Sequence, residues 1–248
     1  MISVAQALEN VLAGIKPLGA ERIGLADTLG RVLAEDLASR VTQPPSDVSA
    51  MDGYAVRAQD VAEVPATLTL IGESAAGKAF SGSVGAGETV RIFTGAPLPD
   101  GSDAVVIQED TETDGNAITM KEAARLGRHI RLAGLDFKAG DVLIPKGRLL
   151  TARDVSLAAA MNIPWLDVTR RPRIAILSTG DELVMPGEAL APNQIVSSNS
   201  VGLTCFVTAL GGVAINPGIA RDDAASLRAH LAEAANADML VTIGGASV

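Results

Sequence analysis

The sequence of 248 residues predicts a multidomain protein of mixed α/β class. Three changes of pattern along the chain support this prediction. A helical pattern opens the chain, residues 54–145 resemble β-strands separated by Gly, Pro and Asp turns, and strands alternate with helices from residue 172 onward. We therefore expect a helical–β part, an inserted β-rich domain and an α/β domain with a parallel sheet.

Two helices are predicted before the chain becomes β-rich. Residues 3–14 have apolar side chains at helical spacing, and Ser3 and Gln6 fit a capping box at the start. A second helix is predicted over residues 26–36, with Asp27 as its N-cap.

The inserted region contains several short runs that are typical of strands. These runs cover residues 66–72, 88–95 and 103–112. An Asp-Gly pair within residues 113–120 separates two further runs and predicts a hairpin. Residues 140–150 predict another strand, turn and strand.

The last part of the chain predicts a parallel sheet with crossover helices. A helix over residues 151–162 begins with Thr151 and Asp154, which are spaced almost as in a capping box. Strands and helices then alternate at 173–180, 199–212, 214–220, 222–235 and 238–245. Such sheets bind ligands beyond the carboxyl ends of their strands and carry helices on both faces. Because no helix follows the third strand, we expect a fragment, or a sheet completed from elsewhere.

The composition limits the kind of protein and its ligands. Aromatic residues make up only 2% of the chain, so the cores must be built from Ala, Val, Leu and Ile. The net charge is −9 and the only basic cluster is at 169–173, which argues against a nucleic-acid partner. An acidic protein that binds an anion needs local donors, such as helix N-termini and glycine turns, or a bridging cation.

The sequence also indicates where the protein works. Its one cysteine, Cys205, suits a reducing compartment and is expected in a helix core. The first residues lack the basic region and cleavage site of a signal peptide. No apolar run approaches the roughly 20 residues that cross a bilayer. We therefore expect a cytoplasmic protein with no membrane association.

Two turns of the inserted region are candidates for chemistry. Pro44 and Pro45 stiffen the approach to Asp52 and Gly53, which would fix the Asp52 carboxylate for use as a base or a metal ligand. The alternative is a plain turn that opens the next strand. Thr94 follows a strand and could offer a hydroxyl group to an oxyanion, or it could simply belong to an ordinary turn.

Further candidates follow the strands of the predicted parallel sheet. In the stretch STGDEL, three residues could donate to an anion and two carboxylates could hold Mg²⁺, although a helix cap explains the stretch equally well. The run SSNS at 197–200 precedes a helix whose N-terminus could bind an anion, and capping explains only one of its four residues. Capping adequately explains Asp222 and Asp223 at the next helix.

Five stretches occur in a characteristic order: PPSDVSAMDGYAVR, RIFTGAPLPDGSDAVVIQED, RPRIAILSTGDELVMPG, NQIVSSNS and TIGGASV. Together they resemble the molybdopterin molybdenumtransferase family, the MoeA type that is related to the second half of gephyrin. The resemblance implies an extended dimerisation domain (1–43 plus 138–170), an inserted β-rich domain (44–137) and a molybdopterin-binding α/β domain (171–248).

The resemblance also implies a transferase that completes the molybdenum cofactor. Such enzymes insert molybdate into adenylylated molybdopterin with Mg²⁺ and release AMP. They are homodimers whose site lies between the α/β domain of one subunit and the inserted domain of the other, and the upstream adenylyltransferase is a further candidate partner. The alternatives are a molybdopterin- or nucleotide-binding module without metal insertion, and a gephyrin-like scaffold.

Roles for individual residues follow from the same resemblance. The implied catalytic residues are Asp52, Thr94, Asp136 and Glu182. At Asp136 the Gly-Glu-Asp of the family reads Gly-Leu-Asp. The implied metal ligands are Asp52, Glu182 and Asp222. The residues expected to bind the pterin or its phosphate are Ser178, Thr179, Gly180, Ser198, Asn199, Gly244 and Gly245.

Overall fold

The structure is a computed structural model that describes residues 2–244. Its helices are α1 Val4–Ala13, α2 Ala152–Ala160, α3 Ser198–Ala209 and α4 Ala224–Glu233. Its strands are β1 Ala20–Gly24, β2 Leu37–Ala38, β3 Val48–Ser49, β4 Gly53–Val56, β5 Ala66–Ser74, β6 Glu88–Ile92, β7 Ala104–Ile107, β8 Thr111–Asp114, β9 Ala117–Met120, β10 Ile130–Arg131, β11 Val142–Ile144, β12 Trp165–Thr169, β13 Arg173–Thr179, β14 Leu183–Val184, β15 Ile195–Val196, β16 Val213–Ala220 and β17 Met239–Ile243. The mixed α/β class predicted from the sequence is confirmed.

The chain divides into two compact units. We call the first the α/β unit; it comprises Met1–Asp36, Pro145–Leu157 and Pro164–Val248. We call the second the β unit; it comprises Leu37–Ile144 and Ala158–Ile163. The three-domain boundaries implied by the family resemblance stay a prediction.

A mixed six-stranded sheet forms the centre of the β unit, with strand order β7–β4–β6–β5–β9–β8. Strand β4 is buried on both faces, because Tyr54 and Val56 pack in one hydrophobic cluster and Ala55 packs in another. The hairpin predicted at 113–120 is confirmed as β8–β9, which turn at Gly115 with a positive φ of 59°. Two short pairs, β2–β11 and β3–β10, complete the unit.

A three-stranded parallel sheet forms the centre of the α/β unit, with strand order β16–β13–β17. The chain leaves the central strand β13, passes through α3 to β16 on one side, and then passes through α4 to β17 on the other side. The strand order therefore reverses at β13, which is the position where sheets of this class form a ligand crevice. Residues Ala175, Ile176 and Leu177 of β13 are fully buried and anchor the sheet.

The predicted helix starts are confirmed for α1 and α2. The Ser3 hydroxyl accepts a hydrogen bond from the Gln6 backbone N–H at 3.1 Å. In α2 the capping is reciprocal, since Thr151 N–H donates to the Asp154 carboxylate at 2.8 Å and Asp154 N–H donates to the Thr151 hydroxyl at 3.4 Å.

The helix predicted over residues 26–36 is wrong. Only a single 3₁₀ turn, Leu25–Asp27, forms there, and Gly30 then adopts a φ of +72°. Val32 and Leu33 continue in extended form and bridge to distant residues of the same unit. Their apolar side chains are therefore ordered by partners far away in the sequence, which the local pattern does not reveal.

The expectation that Cys205 lies in a core is also wrong, because its side chain is exposed. Apolar residues occur on all sides of α3, so the sequence pattern did not distinguish the buried face from the outer face. Within residues 2–244, no helix has the length and apolar character required to span a membrane.

Candidate functional site

Polar residues gather at the carboxyl edge of the parallel sheet in the α/β unit. Thr179 ends β13, Asp222 follows β16 and Gly244 follows β17. Because parallel strands end at a common edge, these residues and the turn at Gly180–Glu182 lie at the predicted ligand crevice. The polar turns after these three strands therefore share one edge of the sheet, and their convergence with Asp52 into one pocket stays a prediction.

Two glycines of this edge are positions where a side chain does not fit. Gly180 has a φ of +146°, and a Cβ atom there would collide with the Glu182 carboxylate. Gly244 has a φ of +115°, and a Cβ atom there would lie 2.5 Å from the Thr179 carbonyl oxygen. Glycine is therefore favoured at both positions, because the backbone conformation and the close packing against Glu182 and Thr179 leave no room for a side chain.

A cavity of about 470 Å³ opens beside this edge. Its lining includes Gly180 and Asp181 after β13, and Ile219 and Arg221 at the end of β16. The volume falls within the range of about 300–1,000 Å³ that is typical of small-molecule sites. Arg221, Asp181 and Glu188 are among its lining residues, so residues of both charge signs border the cavity. Such a border suits an anionic ligand that carries a bridging cation.

Behind the edge lies a chain of buried hydroxyl groups. The Ser178 and Ser197 hydroxyl oxygens are 3.2 Å apart, and those of Ser197 and Ser200 are 3.1 Å apart. All three side chains are buried, and Ser178 is completely so. Ser178 therefore does not reach a ligand in this arrangement, and its hydroxyl instead ties β13 to the N-terminus of α3.

The predicted residues Ser198 and Asn199 occupy the first turn of α3 and are exposed. The N-cap Ser197 makes no side-chain hydrogen bond to the backbone N–H groups of that turn. Within residues 2–244, the N-terminus of α3 therefore has backbone N–H groups that its N-cap residue leaves free, at the positive end of a helix dipole that attracts a phosphate group. Gly245, which was also predicted to contact the ligand, lies outside the described residues.

The predicted metal ligands of this unit, Glu182 and Asp222, are exposed at the same edge. The Asp222 backbone N–H donates to the Asp181 carboxylate at 3.4 Å, so three acidic residues lie close together. Residues 2–244 contain no group of three or more His, Cys, Asp or Glu side chains arranged to hold a metal ion. Mg²⁺ commonly uses only one or two carboxylates together with water and substrate phosphates, and the residues present fit that kind of site.

The second set of candidates lies in the β unit and centres on Asp52. Its Oδ1 atom accepts hydrogen bonds from both the backbone N–H and the hydroxyl group of Thr94, each at 2.8 Å. These two bonds, aided by the charge of Arg91, hold the pKa of Asp52 below its ordinary value. Asp52 is therefore a fixed, ionised carboxylate at neutral pH.

Strand β3 connects the elements around Asp52. Ser49 of β3 accepts a backbone hydrogen bond from Gly95 and donates one to Ala96, which fixes the turn that carries Thr94. On its other side β3 pairs with β10. The segment that begins at Pro44 and Pro45 therefore lies between the turn after β6 and strand β10. Prolines, which restrict the backbone, suit a segment held on both sides.

Asp136 lies beside the opposite end of this segment. Its backbone N–H donates to the Gln43 carbonyl at 3.0 Å, and its two carboxylate oxygens accept from Arg131 Nη2 at 2.9 and 3.1 Å. The structure gives Asp136 no hydrogen bond to Asp52 or Thr94 among the described residues. The β unit thus joins Asp52 with Thr94 and places Asp136 in a separate ion pair with Arg131.

The sequence motifs did not indicate Arg91, Arg131 or Arg221 as site residues. Each is a basic residue adjacent to a predicted acidic or polar candidate in space, and the chain has only 20 lysines and arginines against 29 acidic residues. Basic residues are few in this acidic chain, so an arginine within or beside one of the candidate motifs could have indicated these three positions.

Comparison with known proteins identifies the family of the chain. Residues 2–162 match the family of the MoeA N-terminal region (domain I and II), and residues 175–248 match the family of the probable molybdopterin binding domain. The chain belongs to the MoeA family. The resemblance noted in the sequence is therefore confirmed, and the candidate edge of the α/β unit lies within the region that matches the molybdopterin-binding domain.

Several MoeA relatives are similar over most of this chain. The molybdopterin molybdenumtransferase of Nostoc sp. is 41% identical over 88% of this chain and 51% of its own length. That of Haemophilus influenzae is 36% identical over 100% of this chain and 62% of its own length. A crystal structure of the molybdopterin biosynthesis MoeA protein from Pyrococcus horikoshii superposes with a TM-score of 0.88 at 37% identity, over 99% of this chain and 64% of that one. The chain thus spans between half and two thirds of the length of these relatives.

Proposed function

We propose that this chain acts in molybdenum cofactor synthesis, by binding molybdopterin and serving the insertion of molybdate into it. The carboxyl edge of the parallel sheet carries this proposal, because it combines two closely packed glycines, the N-terminus of α3 and a cavity of about 470 Å³. The helix N-terminus and the cavity suit a ligand that bears a phosphate group. Relatives that share both matched regions are named molybdopterin molybdenumtransferases.

Both substrates of the proposed reaction are anions, and this explains the choice of residues. Carboxylates repel phosphate and molybdate, so Glu182 and Asp222 are proposed to hold Mg²⁺ and not to contact the anions directly. When bound, Mg²⁺ would neutralise charge on the phosphates of the substrate. The backbone N–H groups at Ser198 and Asn199 and the hydroxyl group of Thr179 then take the oxygen atoms of the ligand.

The β unit is proposed to supply the reactive carboxylate. Thr94 fixes one oxygen of Asp52, and the structure gives the other oxygen no hydrogen bond within residues 2–244. That second oxygen is available to bind a metal ion, or to accept a proton or a hydrogen bond from a metal-bound group. Asp136, held by Arg131, is proposed to support this site. We also propose that the substrate is adenylylated molybdopterin and that AMP is released from it. An upstream adenylyltransferase would supply this substrate.

A homodimer is also proposed. Helix α1 has no buried residue, and four of its apolar side chains are exposed by more than half: Val4, Leu8, Val11 and Leu12. An amphipathic helix with an uncovered apolar stripe is typical of a surface that associates. Sedimentation at micromolar concentration tests this; a monomer would contradict it.

The reaction itself is tested with purified chain, Mg²⁺, molybdate and adenylylated molybdopterin. We expect AMP release and molybdenum incorporation that fall at least about a hundredfold in Asp52→Ala. Asp114→Asn is the control: this exposed residue lies in the same unit, and the change removes a carboxylate outside the candidate site. Binding of the pterin without AMP release or molybdenum incorporation would indicate a binding module. Absence of pterin binding would overturn the proposed function.

A further inference from the structure

The guanidinium group of Arg91 lies over two aromatic rings. Its guanidinium carbon is 4.9 Å from the centre of the Tyr54 ring and 5.1 Å from that of the Phe93 ring. The chain has only one tyrosine, four phenylalanines and one tryptophan, so two of its six aromatic residues flank this one cation. The sheet causes this arrangement, because Tyr54 is the direct cross-strand partner of Arg91 and Phe93 follows two residues later.

Two hydrogen bonds fix the orientation of the guanidinium group. Nη1 donates to the Gly53 carbonyl at 3.4 Å, and Nη2 donates to the side-chain oxygen of Gln108. Gln108 is itself fixed, since its backbone N–H donates to the Asp52 carbonyl at 3.1 Å. Arg91 is thus attached on two sides to the segment that carries Asp52.

Arg91 has no ion-pair partner within 4.0 Å among the described residues, although the chain is strongly acidic. Its charge nevertheless reaches Asp52, as it contributes to the low pKa of that carboxyl group. A half-buried arginine that is stacked and oriented but has no carboxylate partner is suited to an external anion. Because its rotamer is already fixed, little side-chain entropy is lost on binding.

We propose that Arg91 binds a tetrahedral oxyanion beside the Asp52 carboxylate. The guanidinium lies over both rings and donates two hydrogen bonds to the protein, so its other N–H groups remain to donate to the oxygen atoms of the anion. Thr94 holds the Asp52 carboxylate and Arg91 would hold the anion, so each of the two negative groups has its own donors. The inference rests on the proposed function for the identity of the anion, which is either phosphate or molybdate.

The test uses Tyr54 as a local probe, since it is the only tyrosine of the chain. In the full chain with Trp165→Phe, the emission of Tyr54 is followed during separate titrations with inorganic phosphate and with molybdate. Arg91→Met keeps an apolar side chain at the rings and removes the charge. Arg91→Lys keeps the charge and removes the planar array of N–H donors. Arg57→Met is the matched control, because Arg57 lies in the same unit and has Asp60 as its partner at 3.7 Å. Circular dichroism checks that each variant is folded.

We expect Arg91→Met to weaken binding of the responding anion by about tenfold or more, Arg91→Lys to weaken it less, and Arg57→Met to leave it unchanged. The anion that responds at lower concentration identifies the source. Equal midpoints for Arg91→Met and its parent, or no response of Tyr54 to either anion up to about 10 mM, would overturn the inference. No pterin is present in this assay, so a negative result leaves the proposed function standing. Conversely, if the chain binds these anions but not molybdopterin, the proposed function is wrong and the inference about Arg91 remains.

Discussion

Asp52 illustrates how one side chain acquires a defined chemical state. Both donors of Thr94 converge on a single carboxylate oxygen, although the two residues are 42 positions apart in the sequence. Hydrogen bonds to the ionised form lower the pKa of a carboxyl group, and they also remove rotational freedom. The result is a charge that is present at every physiological pH and has one oxygen left for a ligand.

Removal of the Thr94 hydroxyl tests this account. In Thr94→Val the backbone N–H still donates to Asp52 but the side-chain bond is lost. We therefore expect the pKa of Asp52 to rise toward its ordinary value of about 3.9 without reaching it. Carboxyl-carbon NMR titration measures the shift, and Thr94→Ser is the control that keeps the hydroxyl group. An unchanged pKa in Thr94→Val would show that the hydroxyl contributes nothing.

At the level of elements, a carboxylate joins strands β13 and β17 at the end opposite to the candidate site. Asp238 precedes β17 and accepts two hydrogen bonds from Arg170, at 2.7 and 2.9 Å, and one from the Arg173 backbone N–H at 2.7 Å. These contacts lower the pKa of Asp238 to about 2. The first residue of β13 is thereby tied to the residue that precedes β17.

The depressed pKa of Asp238 predicts a specific dependence of stability on pH. A carboxyl group with a pKa lower in the folded than in the unfolded chain stabilises the fold above the unfolded pKa of about 3.9, and this contribution is lost as the pH falls toward 2. We expect Asp238→Asn to be less stable than the parent at pH 7, with a difference that shrinks between about pH 4 and pH 2. Urea unfolding across this range measures it.

The exposed carboxylate of Glu233 on α4 supplies the matched control for that experiment. Glu233→Gln should leave the urea midpoint at pH 7 close to that of the parent, because a lone surface charge contributes little. A pH-independent difference for Asp238→Asn would contradict the assignment of its effect to charge.

The turn after β17 gives a second prediction at this level. Gly244→Ala places a Cβ atom against the Thr179 carbonyl and also requires alanine to adopt a φ of +115°. Gly211→Ala also places alanine at a positive φ, of +86°, but has nothing within 4 Å. We expect Gly211→Ala to lower the free energy of unfolding by about 1 kcal/mol and Gly244→Ala by about 2 kcal/mol or more. Urea unfolding measures both, and equal losses would show that close approach to Thr179 is unimportant.

The charge of the whole molecule opposes the ligands that we propose for it. The chain carries a net charge of −9, and molybdopterin and molybdate are both anions. Local donors such as the N-terminus of α3 and Arg221 act over short distances, whereas the net charge acts over the Debye length, about 30 Å at 0.01 M salt and about 8 Å at 0.15 M. Association is therefore slowed by repulsion when the salt concentration is low.

A kinetic experiment follows from this balance. We expect the association rate constant of molybdopterin to increase several-fold between about 0.01 M and about 0.15 M salt. Stopped-flow measurement of binding tests this at several salt concentrations. A rate that falls as salt is added would mean that a positive field around the site outweighs the net charge.

Some features of this molecule were determined by short stretches of sequence. The capping pairs of α1 and α2, the Asp-Gly hairpin β8–β9 and the alternation of strands and helices after residue 172 all involve residues close together in the chain. Their geometry depends on local dihedral preferences and on the period of apolar residues. The order of five motifs likewise sufficed to predict the family.

Other features were decided only by the tertiary structure. The partner of Asp52, the stacking of Arg91, the burial of Ser178 and the extended path of residues 32–33 all depend on contacts with residues far away in the sequence. A local pattern specifies which face of a segment is apolar but not what will cover that face or where a polar side chain will find its partner. The sequence by itself therefore determined the elements and the family, and the packing of distant segments decided which charges meet at the candidate site.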